Sequence, residues 1–233
     1  RVMAAIRNAG YEWPRRRVTV NLAPAHLRKE GSAFDLAIAV GILAASGQIH
    51  PRRSGRFVLV GELSLDSTLR PVRGVLCMAS AARDRGEYGM IVPAANAREA
   101  ALADGPVVYA VEDLRAAVAI VEGDVRRRPF ELALETQLGP AEGSGYDFSD
   151  VRGQEQAKRA LEVAAAGGHN LLMIGPPGSG KTMLAQRVPG ILPDLSLDEA
   201  LATTKIHSVA GILPPSDAVV LSRPFRAPHH TIS

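Results

Sequence analysis

The sequence has few of the features that mark secreted or membrane-embedded chains. It contains a single cysteine, Cys77, which cannot form an internal disulfide and fits a reducing compartment. No stretch approaches the roughly 18 to 20 continuous apolar residues that a membrane span requires, and the first residues lack the apolar core of a signal peptide. These absences predict a cytoplasmic protein with no membrane partner.

The charge balance is nearly even and excludes little. The chain has 27 basic and 24 acidic side chains, for a formal charge of +3, which permits a nucleic-acid partner without requiring one. Arginines occur in three clusters that could face phosphates, although solvated surface is the more common role of such clusters. These clusters are Arg15 to Arg17, Arg52 with Arg53 and Arg56, and Arg126 to Arg128.

The length and the patterning predict two α/β domains. At 233 residues the chain exceeds the usual domain size of roughly 100 to 200 residues. Strand-like and helix-like patterns alternate along the first half, which is typical of an α/β fold. The predicted strands there are 17–22, 57–63, 68–72, 90–92 and 107–111, and the predicted helices are 34–46, 74–85, 96–102 and 114–121.

A linker is predicted at residues 124–147, which are rich in glycine, proline and small polar residues and have no sustained period. It separates a first domain at 1–123 from a second at 148–233. The second domain is predicted to contain helix 154–166, strand 170–174 and helix 181–188. Because the sequence begins inside a helical pattern and its last residues complete no recognisable element, we expect a piece of a longer polypeptide.

A phosphate-binding loop is predicted where strand 170–174 meets the following helix. The sequence there matches G-x-x-x-x-G-K-[ST] at every fixed position. Glycines let backbone N–H groups approach a polyanion, and the helix directs its positive dipole end toward the same phosphates. Lysine would reach the β and γ phosphates of ATP, and the threonine hydroxyl would bind Mg²⁺. The motif consists of Gly175, Pro176, Pro177, Gly178, Ser179, Gly180, Lys181 and Thr182.

The second acidic strand that hydrolysing P-loop enzymes need is missing from the sequence. Its aspartate would hold Mg²⁺ and its neighbouring glutamate would activate water. The segment VVYAVEDL at 107–114 resembles such a strand, but it precedes the P-loop and belongs to the first domain. We therefore expect these residues alone to hydrolyse ATP poorly or not at all.

Nearly the whole chain resembles the YifB/ComM family of magnesium-chelatase-like AAA+ ATPases. The resemblance is carried by VTVNLAPAHLRKEGSAFDLAIAVGILAASGQI, LVGELSLDSTLRPVRGV, DVRGQEQAKRALEVAAAGGHNLLMIGPPGSGKTMLA, GILPDLSLDEA and RPFRAPHH. It implies a Lon-protease-like, ribosomal-S5-like α/β domain followed by the first part of a P-loop AAA+ α/β domain. It also implies that the acidic Mg²⁺ strand, the sensor residues and the arginine finger lie outside these residues.

The resemblance to Lon does not extend to peptidase chemistry. Lon's K-D-G-P-S-A-G pattern is similar to KEGSAFD here, which places Ala33 at the position of the nucleophilic serine. The position of its partner lysine falls on Leu76. A Ser–Lys dyad needs a hydroxyl and an amine, and sliding the alignment to Ser32 would still supply no lysine. The sequence therefore predicts no peptidase activity.

Several further residues have two interpretations. The family implies that Asp150, Val151, Gly153 and Gln154 lie against the adenine of ATP, although this segment could be an ordinary helix start. Ser196 and Glu199 match a capping box that begins a helix. His229 and His230, beside Arg226, suggest a metal site at first, but none is expected, because neighbouring side chains on an extended segment point to opposite sides and no cysteine or acidic ligand lies nearby in the sequence. In the family this last segment precedes an insertion that could contact substrate or a neighbouring subunit.

The function that the resemblance implies is a hexameric DNA motor. It would use ATP for branch migration or unwinding of branched or single-stranded DNA in recombination, as in natural transformation (competence). A chelatase-type remodeller that drives a partner protein is the first alternative. A non-enzymatic scaffold, assembled under nucleotide control, is the second.

Overall fold

The computed structural model describes residues 1–24, 26, 29, 31–52, 57–124, 126, 128–132, 146–213 and 219–228. The chain folds as two compact units, one of Arg1–Ala133 with Thr204–Ala218 and the other of Leu134–Thr203 with Val219–Ser233. Most of the predicted linker, residues 133–145, lies outside the described residues. Within the described part of the chain, no helix combines the length and the apolar character needed to cross a membrane.

The first unit is built on a parallel sheet, as the α/β prediction requires. Strands β1 (Phe57–Leu59), β4 (Gly89–Pro93) and β5 (Val107–Val111) pair in the order β1-β4-β5. All five residues of central β4 are buried, because helices cover both faces of a parallel sheet. This unit also contains β2 (Glu62–Leu63), β3 (Leu69–Arg70), α1 (Val2–Asn8), α2 (Asp35–Ala45), α3 (Val75–Asp84), α4 (Ala97–Ala101) and α5 (Leu114–Glu122).

Alternation along β4 divides the core of this unit into two clusters. Ile91 belongs to a cluster with residues of α1, α2 and α5. Met90 and Val92 belong to a second cluster with residues of α3 and α4. Successive side chains of a strand point to opposite faces, so the sheet lies between two helical layers.

The prediction of one strand at 57–63 was wrong in its extent, because the segment divides at Gly61. Val60 N–H still donates to Ile91 O at 3.1 Å, but Gly61 N–H turns to Ala33 O at 2.9 Å. A Cβ at Gly61 would lie 2.7 Å from Leu69 Cδ2, so glycine permits the close crossing at this point. Beyond it, β2 pairs antiparallel with β3, which confirms a shorter form of the predicted strand pair.

The predicted strand at 17–22 was also wrong, since the structure has no strand there. Val20 is 48% exposed and Leu22 is 39% exposed. Residues 12–22 instead line a groove whose other wall includes Ile38 and Ile42 of α2. Alternation of side chains satisfies only half of the requirement for a strand, because the backbone also needs a hydrogen-bonded neighbour.

The second unit contains α6 (Glu155–Gly167), α7 (Lys181–Arg187) and the first part of α8 (Leu197–Ala210). Its small apolar core comprises Val151, Leu161 and Leu184. The predicted strand at 170–174 was wrong for the same reason as 17–22, because no described segment pairs with it. Two of its apolar side chains are left in solvent, with Leu172 83% exposed and Ile174 87% exposed, whereas Met173 packs against the small core.

The capping box predicted at the start of α8 is confirmed. Ser196 N–H donates to Glu199 Oε2 at 2.9 Å, and Glu199 N–H donates to Ser196 Oγ at 3.3 Å. The first of these bonds, followed by the charge of Arg223, lowers the pKa of Glu199. Stability from this group is therefore present above the pKa of an unfolded glutamate and is lost as pH falls through the lowered value.

Removing this cap should weaken the first turn of α8. Losing an N-cap hydroxyl costs about 1 kcal/mol, so Ser196→Ala should speed hydrogen exchange of the Glu199 amide about fivefold. Ser222→Ala, at an exposed serine, provides the matched control. An unchanged Glu199 exchange rate in Ser196→Ala would show that the cap contributes nothing.

Candidate functional site

The glycine loop of the second unit has the backbone that the motif predicts. Gly178 and Gly180 have φ angles of +80° and +83°, in the left-handed region that favours glycine. A Cβ at Gly175 would lie 3.1 Å from Ser179 Oγ. The loop leads directly into α7, which begins at Lys181. The sequence thus places glycine where a side chain would strain or fill the turn.

Backbone amides of this loop are available to a ligand. Within the described residues, the N–H groups of Gly178, Gly180, Lys181 and Thr182 donate to no protein acceptor. Amides of a turn with alternating backbone hand form an anion-binding concavity. Unpaired donors of this kind can hydrogen-bond an anionic ligand such as phosphate.

Lys181 adds a positive charge to the same loop. Its Nζ donates to Gly175 O and Pro176 O, both at 2.8 Å, and to Ser179 Oγ at 3.1 Å. All three acceptors are neutral, and no ion pair of Lys181 occurs among the described residues. The ammonium therefore lies against the loop without a neutralising carboxylate, which suits a polyanionic ligand.

Thr182 meets one requirement of a Mg²⁺ site. Its side chain is exposed in the first turn of α7, so its hydroxyl is accessible to an ion held by phosphates. No group of three histidine, cysteine or acidic side chains that could hold a metal occurs in the described part of the chain. Thr182 is therefore placed to supply one ligand to such an ion.

The four residues that the family places beside adenine have different surroundings in the structure. Val151 is 2% exposed and packs in the core of this unit, so only its main chain could meet a base. Gly153 is exposed with φ of +68°. Gln154 reaches the P-loop, where its Nε2 donates to Ser179 O at 3.0 Å. The Asp150 carboxylate forms an ion pair with Arg187 at 3.3 Å.

Arg187, at the end of α7, is a structural residue of the site that the sequence analysis missed. It donates to Asp147 O and Met183 O, both at 3.0 Å, and its guanidinium lies 5.2 Å from the centre of the Tyr146 ring. The pKa of Asp147 is lowered mainly by hydrogen bonds from Ser149 and to a smaller degree by Arg187. A basic residue in the last turn of a helix was the available signal, but its partners are far away in sequence.

In the first unit, the two positions of the Lon dyad lie in one apolar cluster. Leu76 is fully buried there, and Ala33 packs against the same cluster. The Ser32 hydroxyl donates to a carboxylate oxygen of Glu62, not to an amine. The arrangement offers no Ser–Lys pair at these positions.

The structure describes only some of the other residues that the sequence analysis considered, namely the arginine clusters and the histidine pair. Arg15, Arg16 and Arg17 are exposed and line the groove beside α2. In the other clusters, Arg53, Arg56 and Arg127 lie outside the described residues, as do His229 and His230.

Comparisons with known proteins agree with this combination of an α/β unit and a P-loop. The family described as magnesium chelatase, subunit ChlI, matches residues 147–233, and the family described as subunit ChlI of Mg-chelatase matches residues 1–96. The first match includes the P-loop, and the second includes Ala33 and Leu76.

Individual relatives identify the family more closely. The chain is 45% identical over 236 residues to YifB of Escherichia coli, with all of this chain and 45% of the relative covered. It is 42% identical over 239 residues to the competence protein ComM of Haemophilus influenzae, with all of this chain and 46% of the relative covered. An archaeal Lon protease from Methanothermobacter thermautotrophicus is 34% identical over 84 residues, which cover 31% of this chain and 13% of the relative.

These findings define a magnesium-chelatase-like protein. The chain belongs to the YifB/ComM family, and it spans about half the length of the curated relatives it matches.

Proposed function

We propose that this chain is the nucleotide-binding part of an AAA+ ATPase that acts as a DNA motor. The observation that carries the nucleotide part is the loop from Gly175 to Thr182, with four available amides and an unneutralised lysine. The DNA part rests on the resemblance to ComM, whose name refers to competence, and on exposed arginines such as Arg15 to Arg17.

Four residues of the loop have a defined task in this proposal. The amides of Gly178, Gly180 and Lys181 would hold phosphate oxygens, and the Lys181 ammonium would leave its three neutral acceptors to meet the β and γ phosphates. The Thr182 hydroxyl would bind Mg²⁺. When bound, MgATP supplies the phosphoanhydride bond whose hydrolysis drives a motor.

The remaining features of the proposal concern the whole protein. Motors of this class commonly work as rings, and we infer a hexamer in the cytoplasm, where a chain with one cysteine stays reduced. The first unit would serve as a docking module and not as a peptidase. Hydrolysis would require an acidic Mg²⁺ strand that is not found after Thr182, so these residues alone should turn over ATP poorly.

The decisive measurement is ATP turnover by the full-length protein with different stimulants. We expect branched or single-stranded DNA to raise turnover several-fold, and DNA affinity to fall as salt rises. If about three phosphates are neutralised, affinity should fall about 40-fold between 50 and 200 mM salt.

Other outcomes identify the alternatives. Stimulation by a partner protein but not by DNA would indicate a chelatase-type remodeller, which the magnesium-chelatase family match favours. ATP binding without turnover under every stimulus would indicate a nucleotide-controlled scaffold. DNA affinity that is indifferent to salt would contradict the motor.

A further inference from the structure

Gln154 adopts a backbone conformation that its own position does not explain. Its φ is +62°, in the left-handed region that costs a residue with a Cβ roughly 1 to 2 kcal/mol. It stands at the N-cap of α6, yet its side chain makes no capping hydrogen bond. Glycine would suit this backbone better, so the glutamine side chain must be explained by a contact elsewhere.

That contact is with the peptide between Ser179 and Gly180. Gln154 Nε2 donates to Ser179 O at 3.0 Å and lies 3.3 Å from the position that a Cβ on Gly180 would take. The side-chain amide therefore fits closely against the turn of the P-loop. A larger residue at position 180 would displace it.

Fixing this carbonyl also fixes an amide. The peptide unit is planar and trans, so its N–H points away from its C=O. When Gln154 holds Ser179 O on one side of the loop, the Gly180 N–H is directed to the opposite side, where it has no protein acceptor among the described residues. The adjoining Lys181 amide follows the same turn into α7.

The backbone segment that carries Gln154 is held in place by contacts of its neighbours. Val151 is buried in the core with Leu161 and Leu184, and Asp150 is paired with Arg187 at 3.3 Å. A side chain that extends from an anchored segment loses little further entropy when it makes its contact. The segment can thus hold the loop in one geometry before a ligand arrives.

We propose that Gln154 is a positioning residue for phosphate binding, which orients the Ser179–Gly180 peptide so that its N–H faces the β and γ phosphates. This role rests on the proposed nucleotide binding and differs from a contact with adenine. The side chain must be a donor of this length. Glutamate would place a carboxylate against a carbonyl, and asparagine is one methylene shorter.

The test compares two ligands in the full-length protein. Gln154→Gly removes the amide but relieves the left-handed strain, so the variant should fold at least as well as the parent. We expect its affinities for ATP and for inorganic triphosphate, measured by calorimetry and by competition, both to fall about tenfold, which is the loss expected of one hydrogen bond. Gln156→Ala, at an exposed glutamine on α6, should leave both affinities unchanged.

Each outcome decides one of the two proposals. If Gln154→Gly loses affinity for ATP but not for triphosphate, the side chain serves the purine and the positioning role is wrong. If both affinities equal those of the parent, the role is wrong although nucleotide binding stands. If the parent itself binds neither ligand, the proposed function fails. Gln154→Glu, which keeps the size of the side chain, should repeat the loss seen with Gln154→Gly.

Discussion

Replacing Lys181 with alanine should lower the affinity of the full-length protein for ATP at least about 100-fold, because charged hydrogen bonds to phosphate contribute about 1.5 to 3 kcal/mol each. The fold should survive this change. The three acceptors of Lys181 Nζ are loop oxygens, and water can replace the ammonium on an exposed loop. The loss should therefore appear in binding and not in the unfolding transition.

Calorimetric titration with ATP measures this effect, and two further variants assign it. Lys158→Ala removes a lysine of α6 whose ion pair with Glu155, at 3.4 Å, is of the weak i,i+3 kind, so ATP affinity should not change. Lys181→Arg keeps the charge but not the compact ammonium, and we expect intermediate affinity. Parent-like binding by Lys181→Ala would remove the basis for assigning nucleotide binding to this loop.

Much of the first unit could be predicted from the sequence because its elements carry their own pattern. The apolar run of α2, the short buried strands β4 and β5, and α5 with its aspartate cap all follow from local residue types. At the start of α5, Asp113 accepts a hydrogen bond from Ala116 N–H at 2.7 Å, as capping chemistry predicts. These segments needed no information about distant partners.

The errors have a common physical cause. Segments 17–22 and 170–174 have the side chains of strands, but a strand exists only when another backbone accepts and donates along its length. The sequence of one segment does not specify that partner. Gly61 is a related case, because the division of the predicted strand depends on the close approach of Leu69, eight positions away.

The candidate site likewise combines features that follow from local residue types with features that depend on distant partners. The left-handed glycines of the P-loop and the helix start at Lys181 could be predicted because they lie within eight consecutive residues, whereas the strand expected before them could not. The contact of Gln154 with Ser179 spans 25 positions, and that of Arg187 with Asp150 spans 37. Neither follows from a local pattern. Glutamine before a helix and arginine at a helix end are too common to indicate such contacts.

The second large effect is expected at Leu76, the position where the resemblance to Lon would place the dyad lysine. Leu76→Lys would restore the residue type of the dyad, but Leu76 is fully buried and packs in the cluster with Val75, Ala79 and Met90. A buried ammonium without a partner is strongly destabilising. The nearby Glu99 carboxylate is already occupied: it accepts from Leu76 N–H at 2.8 Å and from the side chains of Asn96 and Ser208.

We expect Leu76→Lys to lower the free energy of unfolding of the first unit by about 3 to 5 kcal/mol. Urea unfolding followed by fluorescence can isolate this unit, because Trp13 is the only tryptophan in the chain and packs against its core. Leu65→Lys is the matched control, since Leu65 is 63% exposed and a charge there stays in water.

The pH dependence of the stability of Leu76→Lys distinguishes the cost of a buried charge from the cost of poor packing. A buried lysine binds its proton less readily in the folded state than in the unfolded state, so stability should rise with pH wherever the unfolded chain holds more protons. The deficit of Leu76→Lys should accordingly shrink under alkaline conditions, whereas a pure packing defect would persist. A Leu76→Lys protein as stable as the parent at neutral pH would mean that position 76 can hold an amine. The absence of a dyad would then be a matter of residue identity alone, which adding serine at Ala33 could reverse.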